Sequence, residues 1–318
     1  MSNLLNVRYI GESTISDNLE NNIVGWLNYS LLTTSAFFNI PLATSGSYGG
    51  NASRLRLAKN PSYTDGRVWE SFRKQWIWQS GIENPIQPIQ ISGVYVNNSF
   101  KPATGVGPYA HKIDYPNGRV IFDSAIATNS TVTMEYSCNY YQIYNVDSPW
   151  WREVQRNSFR VDDASFLTSA SGFWAKPPEM RVQLPAVIVE ATQRTSAKPY
   201  QIGDLTNIVE QDFRFYIITE NNRDLKWICD VIRGQIDSNH ALFDSNKLMS
   251  SGVYPINMDT GSLNRATMNY PDLVKNYPAN KVWSFKRVQG NSTNTARDAG
   301  SAPIFTAVLN GTVETWTN

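Results

Sequence analysis

Asp212-Phe-Arg-Phe-Tyr-Ile-Ile-Thr219, followed by Arg223-Asp-Leu-Lys-Trp-Ile-Cys-Asp-Val-Ile232, decides the class of this chain. In the first stretch Phe213, Phe215 and Ile217 alternate with Arg214, Tyr216 and Ile218, the period of two that marks a strand with one buried face. In the second, Leu225, Ile228, Cys229, Ile232 and then Ile236 share one helical face, while Arg223, Lys226, Asp230 and Arg233 take the other. Asn222 supplies a cap for that helix. Upstream, Arg181 to Glu190 contains the apolar run Ala186-Val-Ile-Val189, a second strand. Strand, loop, strand and amphipathic helix in this order pack as a two-layer α/β sandwich.

Working outward, Lys281 to Val288 and Pro303 to Trp316 read as late strands that complete the sandwich. Asn310-Gly311 offers a hairpin turn, and Gly290 to Ala302 reads as a long polar loop. On the N-terminal side, Ile113-Asp-Tyr-Pro-Asn117-Gly118-Arg-Val-Ile-Phe122 is the clearest hairpin, with Asn-Gly supplying two positive-φ positions. Ile89, Ile91, Val94 and Val96 before the turn Asn97-Asn98, then Thr131 to Tyr136 and Tyr140 to Tyr144, extend an antiparallel β module. Leu19, Ile23, Leu27 and Leu31 after Asp17 predict a first helix. Trp69, Phe72 and Trp76 predict a second helix, from about Asp65 to Gln79. Pro149 with Trp150 and Trp151 punctuates the chain. The expected fold class is therefore α+β. It comprises an N-terminal helical region (1–85), an antiparallel β-hairpin module (86–148), an α/β sandwich (149–255) and C-terminal strands and loops (256–318).

Charge is sparse. Only 17% of the 318 residues are charged and 12% are aromatic, with 28 Lys plus Arg against 27 Asp plus Glu. An apolar content of 41% excludes a disordered chain, and a net charge of +1 excludes a generic nucleic-acid binder, which gains from releasing counterions. A surface of Asn, Ser and Thr repels copies of itself weakly, which favours a subunit of an assembly. No secretory signal is read from Met1 to Glu12. No run of about 18 apolar residues suits a bilayer, so no membrane partner is expected.

The chemistry-bearing residues form no catalytic constellation. His111 and His240 lie in different modules without metal-ligand neighbours, and both read as hydrogen-bonded loop residues. Cys138 and Cys229 read as small buried hydrophobes. Gly105-Val-Gly107-Pro-Tyr-Ala110 has the glycines of a dinucleotide fingerprint, but Pro108 and the following hairpin deny it the required helix. No enzyme activity, metal or cofactor is expected. Trp150, Trp151, Phe173 and Trp174 are either buried between modules or anchors of an interface. Two basic clusters stand out, Arg54, Arg56 and Lys59 in one and Lys286 and Arg287 in the other. They suit non-specific DNA contact, an acidic partner subunit or a solvated face.

Two groups of segments carry a family resemblance. Leu184-Pro-Ala-Val-Ile-Val-Glu190, Lys198-Pro-Tyr-Gln-Ile-Gly-Asp204, Phe213 to Ile218 and Arg223 to Ile232 resemble virion proteins of tailed bacteriophages. They are similar to the neck (head-to-tail connector) and tail-terminator proteins between portal and tail tube. Gly93-Val-Tyr-Val-Asn97 through Ile113 to Phe122 and on to Tyr136 also resembles modules of phage structural proteins. Together these segments cover a little under half of the chain. The resemblance implies a non-enzymatic structural subunit, a homo-oligomeric ring around the DNA path. Its partners would be portal or connector proteins and the tail tube or sheath. Its location would be the virion, with assembly in the host cytoplasm. Strands with free edges, near Asn97 to Lys101 and at the C-terminus, would be completed by a neighbouring chain. The alternative is a tail-associated, glycan-binding adhesin that recognises its receptor through aromatic platforms such as Trp150 and Trp174.

Overall fold

One helix, α1 (Ile15–Thr33), opens the described part of the chain. The computed structural model describes residues 15–42, 53–58, 62–71, 73–147, 184–199, 207–251, 254–257, 260–264, 268–295 and 304–317. The class is α+β with strands predominating, as expected. The chain divides into two units, each discontinuous in sequence. Tyr29–Ala186 with Val253–Asn269 forms one; Met1–Asn28, Val187–Gly252 and Tyr270–Asn318 form the other.

The first of these is a short-strand unit. Its strands are β1 (Phe37–Ile40), β2 (Arg54–Leu57), β3 (Val68–Glu70), β4 (Gly93–Val96), β5 (Ser99–Pro102), β6 (His111–Asp114), β7 (Arg119–Phe122), β8 (Val132–Thr133), β9 (Tyr136–Asn139) and β10 (Gln142–Asn145). Seven of them form an antiparallel sheet in the order β5-β4-β8-β2-β3-β7-β6, and β1 pairs with β9. Asn97 and Asn98, both at positive φ, make the two-residue turn between β4 and β5. The β6–β7 hairpin differs from the expected tight turn. Asp114 pairs with Arg119, so four residues form the loop, and of Asn117 and Gly118 only the glycine has positive φ.

The described residues between 65 and 79, expected as a helix, hold strand β3 and irregular backbone instead. Gly66 and Gln75 adopt positive φ, which breaks a helical path. Trp69 and Trp76 still reach one core, with Leu55, Val94, Phe122, Val132, Met134 and Tyr136. Their spacing reflects a shared destination and not a shared helix face. Trp76 stacks on Tyr136 at 5.0 Å, and the Tyr136 hydroxyl lies 2.5 Å from Ser71 Oγ.

A buried ion pair ties the β6–β7 loop. The Asp114 carboxylate accepts from Arg119 Nε at 2.7 Å and from Asn117 Nδ2 at 3.0 Å. Gly261 presses on the same group: a Cβ there would lie 2.0 Å from Asp114 Oδ1, so only glycine fits. Burial pushes the Asp114 carboxyl up, while Arg119 and Asn117 oppose that shift.

The second is a long-strand unit. Its strands β11 (Ala186–Pro199), β12 (Asn207–Thr219), β13 (His240–Phe243), β14 (Pro278–Thr295) and β15 (Ile304–Thr317) lie in the order β11-β12-β15-β14-β13. At about 3.3 Å per residue, the 18 residues of β14 run roughly 60 Å. Strand β15 pairs with β12 along one side, Ile208↔Trp316 to Thr219↔Phe305, and with β14 along the other, Lys281↔Thr317 to Thr295↔Ile304. Three expectations are corrected by this register. The C-terminal strand is interior and not a free edge. The expected loop from Gly290 is strand as far as Thr295. Asn310-Gly311 sits within β15 and makes no turn. Gly311 lies against the rings of Phe285 and Phe215, where an added Cβ would make ordinary contact at 3.4–3.5 Å.

One face of this sheet is covered. Phe213, Phe215 and Ile217 from β12, Leu309 and Val313 from β15, and Trp283 and Phe285 from β14 are fully buried there. Each such side chain contributes about 1.5–3 kcal/mol relative to exposure. Helix α2 (Asn222–Arg233) packs on β12, β14 and β15 through Leu225, Ile228, Cys229 and Ile232, the face read from the sequence except for Ile236, which lies past the helix end and is exposed. Its cap is Asn221, one residue before the expected Asn222; Asn221 Oδ1 accepts from Asp224 N at 2.8 Å. Two short helices follow, α3 (Ser245–Ser250) and α4 (Tyr270–Asn276). In α1, Leu19, Ile23 and Leu27 are buried, and Trp26 meets Trp283 edge-on at 5.6 Å. Asn22 donates to Phe243 O and accepts from Phe243 N, both at 2.9 Å, which fixes α1 to β13.

Candidate functional site

Period-two alternation puts the remaining side chains of β12 and β15 on the uncovered face of the long-strand sheet. There Glu210, Asp212, Arg214, Tyr216, Asn310, Thr312 and Glu314 stand in two adjacent rows. They are laced together. Tyr216 donates to Glu190 Oε2 at 2.7 Å, and Arg214 lies 3.7 Å from the same carboxylate oxygen. Arg214 also donates to the Tyr216 hydroxyl at 3.1 Å and to Asn310 Oδ1 at 3.4 Å. Thr312 donates to Asp212 Oδ1 at 2.8 Å.

Lys286 and Arg287, expected as contact residues, are both exposed on β14. Adjacent strand residues normally face opposite ways, but the register shifts between Phe285 and Arg287, a β-bulge that turns both outward. Lys286 Nζ reaches Glu210 at 2.8 Å, with Lys198 on the same carboxylate at 3.7 Å. The hydrogen bond from Lys286 holds the Glu210 carboxyl below the usual carboxylate range. Arg287 makes no ion pair among the described residues. It lines a groove of about 700 Å³ with Asp212, Arg214, Gln289, Asn310 and Thr312. None of Asp212, Arg214, Asn310 and Thr312 was expected as a site residue, because the sequence reading followed the buried partners of the same alternation.

Arg54 and Arg56 lie in the short-strand unit. They alternate outward on β2 about the buried Leu55 and line a groove of about 400 Å³ with Leu57, Trp69, Thr128, Asn129 and Ser130. Arg56 pairs in register with Glu70, which holds Lys74 at 3.1 Å, so acidic charge stands beside this basic strand. Lys59, Trp150, Trp151, Phe173 and Trp174 lie outside the described residues.

The two imidazoles are built into the packing. His111 Nδ1 donates to Tyr109 O at 2.9 Å, and its ring lies 5.4 Å from Phe122. His240 stacks between Trp26 at 5.0 Å and Trp283 at 4.6 Å. Burial lowers both pKa values. Cys138 and Cys229 are free and buried; burial pushes the Cys138 thiol up to about 12. No group of three or more metal-ligating side chains occurs among the described residues, and no described helix is long and apolar enough to cross a membrane.

Among the described residues, the candidate features are thus a polar sheet face with a groove beside a bulge, a basic strand, and two histidines held in the packing. No family model matches the chain, and no curated protein matches it.

Proposed function

We propose that this protein is a non-enzymatic structural subunit of a tailed-phage virion, a ring in the neck or tail-terminator position around the DNA path. Its partners are further copies of itself and the virion proteins above and below, and Arg54 and Arg56 supply non-specific contact to DNA or to an acidic neighbour. The observation that carries the reading is the outer edge of the short-strand sheet. Strand β5 is outermost, and the hairpin that bears it presents Phe100, 43% exposed, with Tyr95 against it at 5.1 Å. The adjoining loop holds Val106 at 95% exposure and Tyr109, whose ring lies 4.6 Å below Lys101 Nζ. An unpaired strand edge next to exposed apolar side chains suits the same-chain contact that closes a ring. Pro102, which lacks an N–H, limits the added pairing to the first residues of β5.

Mass photometry and negative-stain microscopy test this directly. Closed rings of uniform size are expected, and Phe100→Asp with Val106→Asp should return the chain to monomers without changing its unfolding curve. A protein that stays monomeric at high concentration, and that binds neither portal nor tube proteins, would remove the proposal.

A further inference from the structure

The groove beside the β14 bulge lies on the open face of the long-strand sheet, whereas β5 edges the short-strand sheet. The bulge spends a ladder position to set Lys286 and Arg287 side by side on the open face. Lys286 is consumed by Glu210, whereas Arg287 is delivered to the groove wall without an ion-pair partner among the described residues. The groove volume, about 700 Å³, falls within the range of roughly 300–1,000 Å³ typical of small-ligand sites.

The lining discriminates between ligands. Arg214 and Arg287 face Asp212, and Glu190 lies 3.7 Å from Arg214, so the local charge is close to balanced. A run of phosphates would meet these carboxylates as well as the guanidiniums, and it would lack the cation excess that drives polyanion binding. Asp212 with Thr312, and Asn310 with its Oδ1 turned to Arg214, instead present fixed acceptors and donors of the kind that hold hydroxyl groups. Gln289 adds another amide at the rim. Among the described residues of the lining, Arg287 offers a guanidinium fork without an ion-pair partner, suited to a carboxylate.

We propose that this groove binds an acidic saccharide, with the sugar carboxylate on Arg287 and the hydroxyls on Asp212, Asn310, Thr312 and Gln289. Titration calorimetry of the full chain against a panel of uronic-acid and sialic-acid oligosaccharides tests it, with matched neutral oligosaccharides and a short oligothymidylate alongside. Saturable binding to at least one acidic member is expected. Arg287→Ala should weaken it by about tenfold or more, the loss of a charge-assisted hydrogen-bonded pair. Arg287→Lys should restore only part of it, and Lys286→Ala should leave it unchanged within about twofold, because that side chain serves Glu210. The proposal is overturned if no acidic member binds, if neutral oligosaccharides bind equally well, if Arg287→Ala binds like the parent, or if the oligothymidylate displaces the sugar.

Discussion

The two units reach order by opposite routes. Among the described residues of the short-strand unit no strand exceeds four residues, and the chain is steered by side chains that hold its turns, such as Asp114 with Asn117 and Arg119. In the long-strand unit four of the five strands run 13 to 18 residues, and continuous register does the steering. Specificity in the first therefore sits in a few buried polar atoms, and in the second it is spread along backbone ladders and apolar alternation. The same backbone economy frees one whole face of the long-strand sheet for polar display.

Four measurements can break or sharpen this contrast. The largest effect is expected from Asp114→Ala, which leaves Arg119 buried without its carboxylate and should cost about 3–5 kcal/mol in urea unfolding. The pair Asp114→Leu with Arg119→Met should cost less than that single change; equal or additive losses would mean that the ion pair does not organise the loop. Next comes Gly290→Ala, expected to cost about 1–3 kcal/mol because the new methyl meets the β15 backbone. A neutral result would show that the long ladder yields more easily than its register suggests. Asn221→Ala removes the cap of α2 and should cost about 1 kcal/mol, read from thermal unfolding. The smallest test concerns acid. His111 and His240, one in each unit, have folded pKa values below the ordinary 6.5, so the unfolded chain binds more protons there. Stability should therefore be fully present above that value and fall as pH drops below it. His240→Phe and His111→Phe should each flatten the slope between pH 7 and 5, and a slope unchanged in both variants would contradict the burial of the rings.

Legibility in the sequence followed the same division. In Asp212 to Thr219 and in Leu225 to Ile232, strand and helix were read with their buried faces correct. Asn97-Asn98 was also legible, since two positive-φ residues leave little choice. Trp69 and Trp76 misled because aromatics at helical spacing can reach one core from a strand and a loop. Asn310-Gly311 misled because the pair runs on within β15, bonded on one side to β12 and on the other to β14, a tertiary reason that no neighbouring residue announces. At the candidate site, Lys286 and Arg287 were found as a basic pair, but the bulge that separates their roles depends on a pairing with β15 that local sequence does not reveal. Asp212 and Arg214 were in view as the outward half of the alternation and gained meaning only once Asn310 and Thr312 were set beside them.

The interior position of β15 has a consequence for synthesis. In chain order it follows every other strand of its sheet, yet it joins β12 to β14, so the long-strand unit cannot close until residues 304–317 are made. Until then, two long strand edges stand unpaired on either side of an empty lane, the kind of surface that recruits other chains. A chain cut short before Ile304 should fail as an aggregate and not as a smaller folded protein. Completion of this sheet thus waits on residues 304–317.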